Sequence, residues 1–233
     1  MTTVSPGTSV LDNAAWQSLT GPHARFAERH GRAARYEPDV APFHALEDPN
    51  DPKGWRDLLE LTGPGAEIAV AGPVPAFHPG WRLIDEVAGV QFVDDTLADA
   101  PAPEAVRLTA ADVPEILDLI ERTRPGPFRT RTIELGGYIG IRDGGKLIAM
   151  AGERLHPPGW TEISAVCTDA AYRGRGLATR LVRAVAHGIR QRGETPFLHT
   201  SAANATAIRL YESIGFRLRR RTTFGLYAAR VEI

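Results

Sequence analysis

The second half of the chain alternates between strand-like and helix-like spacing of its apolar residues, so its elements can be read in order. Ala105 to Leu108 is a short apolar run of strand type. Asp112 stands where a helix N-cap belongs, with Pro114 in the first turn, and Val113, Ile116, Leu117 and Ile120 then share one helical face. Tyr138 to Arg142 and Lys146 to Arg154 are strand-like runs on either side of Asp143-Gly144-Gly145, a hairpin turn. Thr161 to Thr168 is a further strand. Leu177, Leu181, Val182, Val185, Ala186 and Ile189 form a helical stripe that stops before Gly193. Pro196 to Thr200 is a short strand, Asn204 to Ile214 a helix ended by Gly215, and Phe216 opens a last hairpin. The predicted order is βα(α)ββ followed by βαβαββ, an α/β mixed sheet with helices on both faces.

The first hundred residues are less regular. Trp16 to Ala27 and Trp55 to Leu61 have helical spacing, whereas Glu67 to Ala71 and Trp81 to Phe92 are rich in strand formers. The Pro/Ala stretch Ala98 to Pro103 reads as a linker. It sets an N-terminal α+β lobe of unassigned role over residues 1–100, a candidate degenerate copy of the second fold, apart from a second domain over residues 104–233. No chemical motif, repeat or low-complexity tract stands out in the lobe.

Charge divides along the same line. Residues 1–100 carry 7 Lys/Arg and 15 Asp/Glu, and residues 101–233 carry 20 and 13. The basic half suits a polyanionic ligand; the acidic half suits a cationic substrate, contact with the basic half, or plain solvation. The single cysteine, Cys167, excludes an intramolecular disulfide. No apolar run reaches the length of a bilayer span, and Met1 to Val10 lacks the pattern of a secretory signal. A cytoplasmic protein is expected, without membrane association.

The sharpest local signal is Arg173-Gly174-Arg175-Gly176-Leu177-Ala178, which follows a strand and opens a helix. Glycine lets backbone approach a ligand, and the unpaired N–H groups of the first helical turn attract phosphate. A plain strand-to-helix connector is an alternative. A dinucleotide fingerprint fails because Thr179 stands at its third glycine, and a nucleotide-kinase loop fails because no Gly-Lys-Ser/Thr follows.

The wider pattern is more specific. Arg173-x-x-Gly176-x-Ala178, after the strand Glu162 to Cys167, resembles the coenzyme A signature of the GNAT superfamily of N-acetyltransferases. Asn204-x-x-Ala207-x-x-Leu210-Tyr211-Glu212-x-x-Gly215-Phe216 resembles its second signature, at the expected distance. The resemblance covers residues 104–233, and Met150 to Glu153 with Glu162 to Cys167 look most like the FR47-like branch.

That resemblance implies an acyltransferase moving an acetyl or short acyl group from acetyl-CoA to an amine, by direct transfer in a ternary complex. The fold implied is a sheet splayed between the strands Glu162–Thr168 and Pro196–Thr200. Pantetheine would pair with the backbone of Val166, Cys167 and Thr168, and pyrophosphate would sit on Gly174, Arg175, Gly176, Leu177 and Ala178 beside Arg173. Asn204 would touch pantetheine or pyrophosphate, and Tyr211 matches the general acid. His199, five residues before Asn204, is a candidate base where some relatives carry glutamate; Glu162 and Glu153 are others. Each base candidate also has a plainer reading, as a structural or surface group. No metal or nucleic acid is implied, and a homo-oligomer stays open. A noncatalytic acyl-CoA-binding module is the alternative, and it needs no Tyr211. Cys167 as an acyl-accepting nucleophile is disfavoured, because a buried strand cysteine behaves as a small hydrophobe. For Arg219-Arg220-Arg221, strand alternation predicts a solvated edge.

Overall fold

The computed structural model describes residues 7–71 and 80–230; the first six residues of the Met1 to Val10 segment lie outside them. The N-terminal half contributes helix α1 (Ala14–Leu19), strands β1 (Ala27–His30), β2 (Ala33–Tyr36) and β3 (Phe43–Leu46), helix α2 (Pro52–Thr62), and strands β4 (Glu67–Ala71) and β5 (Trp81–Asp94). The C-terminal half adds β6 (Val106–Arg107), α3 (Val113–Thr123), β7 (Tyr138–Asp143), β8 (Lys146–Glu153), β9 (Trp160–Thr168), α4 (Leu177–Gln191), β10 (Thr195–Ser201), α5 (Ala205–Ser213) and β11 (Phe216–Ala229).

All strands join one 11-stranded sheet in the order β1-β2-β3-β4-β11-β5-β10-β9-β8-β7-β6. The two halves share a connectivity. In each, three antiparallel strands lead through a helix to a strand parallel to the third, β3 with β4 and β9 with β10. Their last strands are exchanged. β5 of the first half pairs with β10 of the second, β11 of the second pairs with β4 of the first, and β5 and β11 pair with each other. Residues 98–103 therefore join two parts of one continuous sheet.

Several local expectations change. No final hairpin follows Phe216: β11 runs unbroken for 14 residues because β5 and β4 supply its partners. The helical spacing from Trp16 ends at Leu19, since the Thr20-Gly21-Pro22 turn breaks it and Ala27 already belongs to β1. The short strands β1, β2 and β3 carry too little alternation to be read without their partners. Asp112 does not cap α3 through its side chain; its carboxylate turns back to Thr109, accepting from the N–H at 2.8 Å and the hydroxyl at 2.9 Å. Gly144 and Gly145 do take the positive φ values, 55° and 87°, that a tight hairpin requires.

Alternation along the strands sorts side chains to two faces. Ile163, Leu198, Phe92 and Phe216 pack under the apolar stripe of α4 and against Tyr211 of α5. The opposite face is covered by α3 over Leu147, Met150 and Cys167, and by α1 with the N-terminal turns over Phe197, Val93 and Trp160. Helices thus cover both faces, and the two halves meet along β10/β5, β5/β11 and β11/β4.

Candidate active site

The sheet opens at its centre. β9 and β10 pair from Trp160/Thr195 to Ile163/Leu198 and no further. Beyond that point β10 stays on β5, reaching Ser201, while β9 follows β8. A bulge on β9 aids the departure. Residues 165 and 166 stand against Ala151 alone, and Ala165 takes φ 53°, left-handed backbone that a residue with a Cβ seldom adopts. The result is a wedge-shaped gap with residues 164–168 on one wall and His199 to Ser201 on the other. Val166 and Thr168 are half-buried on that wall, and the Thr168 hydroxyl oxygen is buried without a hydrogen-bond partner. Cys167 points away from the α4 face into the core under α3, and burial pushes its thiol up to about 11.

At the open end of β9, Gly174 and Gly176 have φ values of 76° and 72°, and Gly176 is the N-cap of α4 without any side-chain cap. A Cβ added at either would meet nothing within 4 Å. The first-turn N–H groups therefore face open space, as an anion site requires. Arg173 and Arg175 are exposed beside them, the latter stacked on Tyr172 at 4.8 Å. Leu177 is different: its side chain is buried in the core, so only its backbone is available. Asn204 caps α5, its Oδ1 accepting from the Ala207 N–H at 3.1 Å. The residue is exposed, and its Nδ2 is not part of the cap.

The two catalytic candidates lie on opposite faces of the sheet. Tyr211 lies on the α4 face with its ring against Phe92 and Phe216, and burial pushes its phenol up to about 12. His199 lies on the other face. Its Nδ1 is 2.7 Å from Glu162 Oε1, and Phe197 and Phe224 hold the ring by edge contacts at 5.6 and 5.8 Å. Glu162 is fully buried and receives two hydrogen bonds from Arg154, at 2.7 and 2.8 Å. Burial alone would raise its carboxyl, but the Arg154 guanidinium and His199 hold it far below the usual carboxylate range. An ionised Glu162 accepts from Nδ1–H, which leaves Nε2 as the ring nitrogen turned away from the carboxylate.

A narrow slot reaches His199 from the N-terminal half. Leu11, Asp12, Phe43 and Ala71 line it on one side, and Arg154, His199 and Phe224 on the other. Glu153 does not open to it. That carboxylate is buried and held by Arg192 at 2.9 Å and the Gly137 N–H. Sequence reasoning missed Arg154, Gln91 and Asp12. The signals were present: Arg154 follows the apolar strand Leu147 to Gly152, and Gln91 is a lone amide within Val90-Gln91-Phe92-Val93.

Comparison with known proteins places these features in context. A family model described as FR47-like protein matches residues 138–224. The crystal structure of a "putative acetyltransferase from the GNAT family" of Novosphingobium aromaticivorans DSM 12444 superposes with a TM-score of 0.86 at 42% identity, covering 95% of this chain and 99% of that one. A GCN5-related N-acetyltransferase from Kribbella flavida superposes at 0.62 over 94% and 95% of the two chains; at 16% identity it shows the shared fold. Among curated relatives, mycothiol acetyltransferase of Thermomonospora curvata is 35% identical over 186 residues, 76% of this chain and 57% of that protein. N-alpha-acetyltransferase RimI of Mycobacterium tuberculosis is 40% identical over 90 residues, 36% of this chain and 56% of that protein. The chain thus spans a little over half the length of these two relatives.

Proposed function

Because this chain belongs to the GNAT family of acetyltransferases, we propose that it transfers the acetyl group of acetyl-CoA directly to a primary amine held in the slot beside His199. The observation that carries the reading is the Glu162–His199 pair at the mouth of the β9/β10 gap. An attacking amine must lose a proton, and at neutral pH a free alkylamine already carries one too many. His199 Nε2 takes a proton from the amine, and Glu162, anchored by Arg154, orients the ring and balances the charge that develops on it. Tyr211, on the opposite face, retains its proton and delivers it to the departing sulfur.

The remaining residues bind. The N–H groups from Gly174 to Ala178 take the pyrophosphate, with Arg173 and Arg175 adding positive charge. The backbone of Val166, Cys167 and Thr168 pairs with pantetheine as a neighbouring strand would, and an N–H there polarises the thioester carbonyl. Asn204 reaches the same chain through Nδ2. The open space over both glycines, the buried and unpartnered Thr168 hydroxyl and the bulge at Ala165 support this fit.

The N-terminal half shapes the acceptor side. Its counterpart of the phosphate loop, leading into α2, reads Glu47-Asp48-Pro49-Asn50-Asp51-Pro52 and is acidic, which disfavours a second phosphate site. Instead Leu11, Asp12, Phe43 and Ala71 wall the slot. The names of the relatives suggest two acceptor classes, a protein α-amine and the amine acetylated by mycothiol acetyltransferase. The test is CoA release from acetyl-CoA by the full chain against a panel containing peptides with free N-termini and small-molecule primary amines. Turnover that depends on His199 supports the reading. Acetyl-CoA binding with no turnover on any amine would leave the noncatalytic module instead.

A further inference from the structure

His199 Nε2, the atom that must accept a proton, already has a donor. Gln91 is its direct cross-strand partner on β5, and the Gln91 side-chain nitrogen is 2.9 Å away. The orientation of that amide is determined by its other contacts. Gln91 Oε1 accepts from an Arg219 NH group at 2.7 Å, and guanidinium can only donate. The amide nitrogen also donates to the Leu11 carbonyl at 2.9 Å. Both N–H bonds are thereby assigned, one to Leu11 and one to His199. Gln91 is 2% exposed, so water does not supply substitute partners freely.

The amide is held by an unusual piece of backbone. β11 slips register opposite Gln91, with Leu218 on Phe92 and Arg220 on Gln91, leaving Arg219 as the extra residue. The bulge defeats strict alternation, so Arg219 and Arg220 both reach Asp12 Oδ1, each at 2.7 Å. Arg219 is consequently no solvated edge residue: β11 lies between β4 and β5, and the Arg219 side chain is only 14% exposed. The charged groups around His199 are Glu162 on β9, Arg154 after β8, Arg219 and Arg220 on β11 and Asp12 in the N-terminal turn.

We propose that Gln91 is a positioning residue for this reaction: its amide keeps the His199 Nε2 lone pair free of a proton, and the acceptor amine replaces it as the donor to that atom. The inference rests on the reading of His199 as the base. A protonated Nε2 would place its N–H against the Gln91 N–H, and Arg219 prevents the amide from turning its oxygen inward. The resting site thus favours the form of His199 that can accept. An amine entering the slot takes over as donor to Nε2 and passes its proton along that contact. The Gln91 nitrogen moves off the imidazole as it does so, with Oε1 still held by Arg219.

The experiment is nitrogen NMR of the full chain with ¹⁵N-labelled histidine, without substrate, alongside the pH profile of kcat/KM. Wild-type His199 should show a protonated Nδ1 and a bare Nε2. Gln91→Leu removes the donor, and Arg219→Met frees the amide to turn and accept; each should move the imidazole midpoint up by about 0.5–1 pH unit. The acid limb of kcat/KM should follow by the same amount. A midpoint within 0.2 unit of wild type (about the resolution of such a titration) in both folded variants overturns the assignment. A midpoint that moves in a chain with no turnover on any amine supports Gln91's hold on His199 and instead sinks the acyl-transfer reading.

Discussion

Arg154 and Glu162 form a two-point ion pair, 2.7 and 2.8 Å, inside the molecule, and His199 completes the coordination of the carboxylate. Neither oxygen is left to water, since Glu162 is 0% exposed and the Arg154 side chain 13%. Removing one partner of such a pair strands the other charge, which is why breaking it is far more costly than its net contribution suggests.

Arg154→Met should therefore destabilise the fold by about 3–5 kcal/mol at pH 7. In the wild type the Glu162 carboxyl titrates lower folded than unfolded. Its contribution is complete above the unfolded value of about 4.3 and is lost as pH falls towards the folded one. In the variant burial acts unopposed by Arg154, raising the folded value above the unfolded, so protonation favours the fold. The deficit of Arg154→Met against wild type should shrink between pH 7 and pH 5. Urea unfolding at both values checks the sign, and an equal deficit at both would contradict it.

Gly176→Val should weaken acetyl-CoA binding at least tenfold in calorimetry. Valine at φ 72° is strained, by about 1–3 kcal/mol, and its methyls occupy the open space over the N–H groups of α4. The strain would lower the melting temperature as well, so the affinity is to be measured on protein shown to be folded. Unchanged affinity would remove the phosphate assignment.

Tyr211→Phe should lower kcat by about 10²–10⁴-fold with little change in acetyl-CoA affinity. The ring contacts with Phe92 and Phe216 survive the change. Burial pushes the phenol up to about 12, so a basic limb of the wild-type rate near pH 8 is expected to come from another group. A loss of melting temperature with unaltered kcat would assign Tyr211 to packing alone.

Residues 104–233 alone should not fold. The fragment lacks β5, leaving β10 without its antiparallel partner and β11 without either neighbour. Circular dichroism should show an unfolded or aggregated chain, and co-expression with residues 1–103 should restore a soluble complex that binds acetyl-CoA. A soluble, CoA-binding fragment would contradict the strand exchange as a requirement for folding.

Much of the site was legible in the chain itself because it depends on local geometry. The loop Arg173 to Ala178 announces itself through glycines that must take positive φ before a helix. Asn204 and Tyr211 are seven residues apart, two turns along one helix, so sequence spacing alone relates them. The apolar stripe of α4 and the glycine hairpin at 144–145 belong to the same class: each is satisfied within a few residues. The partners of His199 are of another kind. Glu162, 37 positions away, reaches it because β9 pairs with β10, and Gln91, 108 positions away, only because β5 enters the sheet between β10 and β11. Strand spacing says which face a residue takes and nothing about which strand lies beside it. That choice was made when the two halves exchanged their last strands to pair otherwise exposed backbone, and it turned the glutamine of an apolar strand into the partner of the histidine.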